Sequence, residues 1–228
     1  FDPIDDAQCK KIFNKLDEIS LSDYQKFLIR RLRAKILQKS GQDLTACVLI
    51  TSLLDDLESY YTLPKVGLPF YLKVLEDYAN SCLRIDQIEI LTGFVNILSD
   101  KKWLQKYLKN NAQAKYIKEL YQKIIAKLFG LFDANMRDKA NDIWQLCDYC
   151  ELVDELVILV YVSYLDRSKE HDESKKYMEE FLEDSWSDKV FSYFVETKFI
   201  GDKEKLDFGQ RIFSHRKFKQ IGRASCRE

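Results

Sequence analysis

Turn chemistry is what this chain most lacks. It holds seven glycines and three prolines in 228 residues, while apolar residues recur three and four apart along nearly its whole length. Glycine and proline are the strongest punctuators of local structure, and a three-four period gathers apolar side chains on one face of a helix. The pattern predicts an all-α fold. Breakers cluster only in "TLPKVGLP", residues 62–69.

A first helix is expected after Pro3, near Asp5, carrying Ile12, Phe13, Leu16 and Ile19. Ser22 is placed to N-cap a second helix with Tyr24, Phe27, Leu28, Leu32 and Ile36 on its apolar face, closed by Gly41 just beyond its end. Asp43 is expected to cap a third helix, running through Leu44, Cys47, Val48, Thr51, Leu54 and Leu57. Further apolar stripes run from Phe70 to Tyr78 and from Ile85 to Leu98. A short helix is expected from Ser99 or Asp100, and a longer one from Ala112 to Phe129, stopped by Gly130. Two more fill Asn135–Leu165, parted near Cys150, and the last helices hold Tyr177, Phe181 and Leu182, then Trp186, Val190, Phe191 and Phe194, then Leu206, Ile212 and Phe213. "DRSKEHDES" reads as a polar loop. "ELVILVYVSYL" reads as a buried helix, because no second strand signal exists to pair with it. About ten to twelve helices with short connections fit stacked antiparallel hairpins, an α-solenoid of the HEAT or armadillo kind, or one large helical bundle.

A chain of this length buries roughly 70% of its unfolded surface, and with 46% hydrophobic and 32% charged residues it lies outside the disordered class. The formal net charge of −1 points to no class of partner. The longest apolar run, Leu156–Val162, is far short of the roughly 20 residues needed to cross a bilayer. Cys9, Cys47, Cys82, Cys147 and Cys150 lie mostly among apolar neighbours and read as small hydrophobes in a reducing compartment. An intracellular location, cytoplasmic or nuclear, is expected.

The ends read differently. Gln220–Glu228 can be spelled in codons that match a short-read sequencing adapter, so 221–228 is expected to be extraneous and 1–220 to form a single helical-repeat-like region. The chain opens on Phe1 and its methionines are Met136 and Met178, so both termini are expected to be cuts in a longer protein.

Motifs for chemistry are scarce. The two histidines, His171 and His215, fall in a polar segment and near the C-terminus with no evident partner. "CDYC" at Cys147–Cys150 has the spacing of half a zinc site, but lies inside a helical pattern and lacks a second ligand pair, so both cysteines are expected to be packing residues. No GxxxxGK[ST], GxGxxG or HExxH occurs. The acids Glu179, Glu180, Glu183 and Asp184 surround an amphipathic helix and read as a solvated face. No catalytic, cofactor-binding or metal-binding residue is expected.

One segment departs from the average. Residues 101–127 carry Lys101, Lys102, Lys106, Lys109, Lys115, Lys118, Lys123 and Lys127 against one acid, Glu119. Aromatics interleave them at Trp103, Tyr107, Tyr116 and Tyr121, as in a surface that stacks bases and grips phosphates. Helical spacing puts Lys102, Lys106 and Lys109 on one face and Trp103, Leu104, Tyr107 and Leu108 on the other, so the aromatics are expected in the core. What remains is a lysine ridge for an acidic protein segment, RNA or solvent. Lysines offer point charges rather than bidentate forks, so sequence-specific readout is not implied. "RRLRAK" (30–35) forms a smaller basic cluster compatible with hairpin packing.

"KIFNKLDEISLSDYQKFL", with Asn14, Lys15 and Leu16 in the matching positions, resembles the opening hairpin of MIF4G-type helical-repeat domains of translation and RNA-decay factors. The resemblance ends at Leu28 and implies no functional residue. The expected function is that of a non-enzymatic protein-binding scaffold, part of an α-solenoid in a larger eukaryotic assembly factor. The alternative is a helical RNA-binding or regulatory domain, MIF4G-like, using the ridge at 101–127.

Overall fold

The computed structural model describes residues 6–17, 19–60, 67–111 and 114–225. Among them are twelve α-helices, one 3₁₀ turn and no strand: α1 (Asp6–Asp17), α2 (Asp23–Lys39), α3 (Asp43–Tyr60), α4 (Gly67–Cys82), α5 (Ile88–Asp100), α6 (Lys102–Asn110), α7 (Lys115–Leu131), a 3₁₀ turn (Ala134–Met136), α8 (Arg137–Tyr149), α9 (Glu155–Arg167), α10 (His171–Asp184), α11 (Asp188–Glu196) and α12 (Asp202–Ser225). The chain divides into two compact units, Phe1–Ile124 and Ile125–Glu228, and the division falls within α7. The fold is all-α, as the scarcity of breakers predicts. No described helix is long and apolar enough to cross a membrane.

Local chemistry sets the helix ends. Ser22 and Gln25 form a reciprocal capping box: the Gln25 amide donates to Ser22 Oγ at 3.4 Å and the Ser22 amide donates to Gln25 Oε1 at 2.9 Å. At the other end of α2, Gly41 takes φ 75° and the Gln42 amide donates back to the Leu37 carbonyl at 2.8 Å. This is a Schellman closure, which satisfies carbonyls that the helix leaves open. α8 and α9 end the same way without glycine. Glu151 (φ 54°) and Lys169 (φ 63°) occupy the left-handed position, and Leu152 and Glu170 donate to Cys147 and Leu165, each at 2.9 Å.

The first unit is built on α2, α3 and α4, which pack against one another, with α5 on α4 and α6 on α5. Ile50, Leu53, Val74, Leu75, Leu91 and Phe94 are fully buried, each such side chain contributing roughly 1.5–3 kcal/mol. Tyr78 meets Phe94 edge-on at 5.3 Å, and Phe94 meets Tyr121 of α7 at 4.5 Å.

α2 corrects the expectation for its buried face. Only Phe27 and Ala34 of α2 are buried, while Tyr24, Leu28 and Leu32 are 48%, 40% and 51% exposed. The inward side instead carries Arg30, Arg31 and Gln38. Arg30 pairs with Asp56 and donates to Ser52 Oγ at 2.9 Å, and Arg31 Nε donates to Asp77 Oδ2 at 2.6 Å. Gln38 Nε2 donates to the Asp77 carbonyl at 2.6 Å and to Ser81 Oγ at 2.8 Å. Asp77 and Ser81 are buried on α4 and need partners, and a buried charge without one is costly. That demand rotates α2 away from its most apolar face. Asp43 is corrected too. It is the first residue of α3, and its carboxylate accepts two bonds from Arg84 Nε, at 2.9 and 3.0 Å.

The second unit centres on α9, whose Val157, Ile158, Tyr161, Val162, Tyr164 and Leu165 are buried, so this apolar run is the buried helix expected. α10 and α11 pack on α9 and on each other, and α12 packs on α10. Trp144 of α8 stacks on Tyr161 at 4.1 Å and 9°, and Tyr177 of α10 meets both rings at 5.0 and 5.4 Å. Phe129 joins from the far end of α7, 4.9 Å from Tyr161. "DRSKEHDES" is not a long loop: α9 runs to Arg167 and α10 starts at His171, because the left-handed Lys169 turns the chain within three residues. Leu206 and Phe213, expected in the core, are 61% and 57% exposed; Phe208 and Ile212 are the buried side of α12. α12 continues through 221–225.

Candidate functional site

α6 presents the clearest charged face. Leu104 and Leu108 are fully buried, and Gln105 Nε2 donates to the Leu98 carbonyl at 2.6 Å, tying α6 to the end of α5. On the opposite side Lys102, Lys106 and Lys109 are exposed, as their spacing predicts, and Lys101 is half-buried at the N-cap. No acid stands in the first turn of α6. Lysines there add to the positive end of the helix dipole, which normally attracts acids by about 0.3–1 kcal/mol each. The unfavourable end of the face is the N-terminal one, at Lys102, since Lys109 lies in the last turn, where the dipole favours a cation.

α7 is more mixed. Lys115 and Lys123 are exposed and Lys118 is half-buried, and the first turn again lacks an acid. At about 100° per residue, however, Lys118 and Lys123 lie on opposite flanks of Glu119, so these lysines fan out rather than align. Lys127 is half-buried and falls in the second unit. The eight lysines thus comprise Lys101 at the N-cap of α6, a three-residue face on α6 and a spread set of four on α7, the last of which, Lys127, falls in the second unit.

Two aromatics expected in the core are outside it. Trp103 is 40% exposed and Tyr116 is 49% exposed, whereas Tyr121 is buried. Trp103 sits about 100° around the helix from Leu104, at the margin of the buried stripe. Its ring meets Tyr71 of α4 edge-on at 5.1 Å. The Tyr116 hydroxyl donates to Glu76 Oε1 of α4 at 3.5 Å, and desolvation, then the Glu76 charge, raises its pKa. Glu76 also pairs with Lys73 at 3.0 Å.

The cysteines divide by environment. Cys147 and Cys150 are both fully buried, and burial pushes the Cys147 thiol up, as suits a packing residue. Cys47 and Cys82, also buried, meet between α3 and α4. Bonds from Cys82 and, less, Ser81 hold the Cys47 thiol below its ordinary value against the cost of burial. No group of three or more metal-ligating side chains occurs among the described residues. His171 is exposed and stacks on Phe199 at 4.2 Å; the side chain of His215 lies outside the described residues.

In the second unit a shallow groove of ≈360 Å³ lies between α9 and α11, lined by Leu159, Asp188, Lys189, Ser192, Tyr193 and Glu196. Three of its polar groups are engaged elsewhere: Tyr193 donates to Asp166 Oδ2 at 2.6 Å, Lys189 to Glu155 Oε1 at 2.7 Å, and Asp188 accepts from Trp186 Nε1 at 2.6 Å. They do not converge on a point where a reacting atom would sit.

Sequence reasoning missed the outward side of α2, and it also placed in the core Ile12 of α1 and Leu44 and Val48 of α3, which are exposed. On α2, Tyr24, Leu28 and Leu32 have the spacing of a core stripe, and the signal against that reading is the inward row Phe27, Arg31, Ala34 and Gln38. No protein-family model matches the chain, and comparison with curated proteins and with solved structures finds no match.

Proposed function

We propose that the chain is a non-enzymatic protein-binding scaffold made of helical hairpins. The observation that carries this reading is the locality of packing. Within each unit, the principal helix contacts join elements one or two places apart in chain order, such as α2 with α3 and α4, or α9 with α10 and α11. Nearest-neighbour packing of this kind is the signature of repeat arrays, which leave helix faces open to partners. The exposed apolar side chains of α2 agree with it, because contiguous apolar surface on a soluble fold marks interaction sites.

A photo-crosslinking amino acid placed singly at Leu28, Lys106 and Leu206 in the full chain tests the reading in cells that make the protein. Protein adducts confined to particular faces support a scaffold. No protein adduct from any position overturns it.

A second reading, RNA binding through the lysines of 101–127, is favoured by one observation: Trp103 of α6 and Tyr116 of α7 are exposed beside lysines, as stacking rings would be. It predicts RNA rather than protein adducts at Lys106, and an affinity for single-stranded RNA that falls steeply with salt.

A further inference from the structure

α2 is patterned against the usual rule. Its inner side meets α3 and α4 with Arg30, Arg31 and Gln38, and its outer side displays Tyr24, Leu28 and Leu32 at intervals of four residues. Such spacing forms one continuous stripe along a helix. Phe70 at the start of α4 extends the apolar surface, its ring 5.9 Å from Tyr24. Towards the C-terminus the same outer side turns basic. Lys35 is 45% exposed and stands 3.6 Å from Asp77, a carboxylate that Arg31 already holds at 2.6 Å. Lys39 is exposed and pairs with no described residue.

We infer that the outer face of α2 docks an amphipathic helix of a partner protein, with its apolar stripe on Tyr24, Leu28 and Leu32 and acids in its first turn over Lys35 and Lys39. The inference rests on the scaffold reading and names the partner's chemistry. Charge complementarity selects the occupant and its direction. Acids are favoured in a helix's first turn by its own dipole, and an antiparallel partner brings that turn to the basic end of α2. The positive end of the partner's dipole then also meets the negative end of α2. A second copy of this chain fits poorly. Antiparallel pairing of α2 with α2 brings a single carboxylate, that of Asp23, already bonded to Lys26 at 3.2 Å, to the two lysines Lys35 and Lys39.

The test uses the full chain and a fluorescein-labelled amphipathic peptide of about five turns, with leucines at helical spacing and glutamates in its first turn. Saturable binding is expected by anisotropy. Leu28→Asp with Leu32→Asp should weaken it about tenfold or more, with a cooperative thermal melt that is lowered but retained, because the side chains are 40% and 51% exposed. Lys39→Glu, which leaves the Lys35–Asp77 pair in place, should weaken it severalfold, and a peptide with lysines in its first turn should recover binding to that variant. Absence of peptide binding at low salt, or equal binding by the Leu28/Leu32 variant, overturns the inference. So does doubling of the mass with concentration that Leu28→Asp abolishes, which would assign the face to a second copy. Displacement of the peptide by single-stranded RNA would overturn it in favour of nucleic acid. If the peptide fails while protein adducts form at Lys106 or Leu206, this inference alone falls; if no position gives a protein adduct, the scaffold reading falls with it.

Discussion

Single residues decide how tightly α2, α3 and α4 are held. Asp77 is 7% exposed and is engaged by Arg31 at 2.6 Å and Lys35 at 3.6 Å. Asp77→Ala should cost about 3 kcal/mol in urea unfolding, because it strands a largely buried guanidinium. Arg31→Met with Asp77→Leu should recover most of the loss, since an apolar pair of similar volume avoids the desolvation of both charges. The helix ends give a second prediction. A Cβ at Gly41 would meet nothing within 4 Å, so Gly41→Ala should cost only the left-handed backbone strain, about 1 kcal/mol. Conversely, Glu151→Gly and Lys169→Gly should each stabilise by roughly 0.5–1 kcal/mol in the same assay. Ser22 and Gly41 are legible in the sequence because each residue type has a local mechanism. Glu151 and Lys169 are not, because only the hydrogen bonds closing across them force the positive φ.

At the scale of elements, helix existence was readable and helix orientation was not always. α9 is buried on most sides, so its continuous apolar run left no face to choose. α2 offered two plausible faces, and the winning one contains Arg30, Arg31 and Gln38, whose partners Asp56, Asp77 and Ser81 lie more than twenty residues away. Periodicity cannot see such pairing. The α6 lysine face was legible for the opposite reason: Leu104 and Leu108 leave one side for Lys102, Lys106 and Lys109 to occupy. Trp103, at the margin, could go either way. The packing of α11 on α9 carries a pH dependence. Burial, then the bond to Asp166, pushes the Tyr193 hydroxyl up to about 12 from 10. The folded state thus favours the protonated phenol. Its contribution is fully present below pH 10 and is lost as pH rises from 10 through about 12. Unfolding free energy measured across this window should fall, and Tyr193→Phe should flatten the fall. An unchanged slope in that variant would assign the alkaline loss to other groups.

For the whole molecule, what matters is how far a local perturbation travels. The chain forms two compact units that share α7: Tyr121 is buried against Phe94 in the first, and Phe129 against Tyr161 in the second. If stability is a sum of hairpins and nearest-neighbour contacts, damage stays near its origin. If the chain is one cooperative body, damage is felt everywhere at once. Leu75 on α4 and Leu165 on α9 are both fully buried, so truncating either to alanine should cost about 2–5 kcal/mol where it acts. Hydrogen exchange followed by mass spectrometry separates the outcomes. Leu75→Ala should accelerate exchange in α3, α4 and α5 and leave α9 and α10 at wild-type rates; Leu165→Ala should do the reverse. Within α7, the turn holding Tyr121 should follow the first unit and the turn holding Phe129 the second. Equal acceleration across all helices by either substitution would show one cooperative body and remove the nearest-neighbour basis of the scaffold reading.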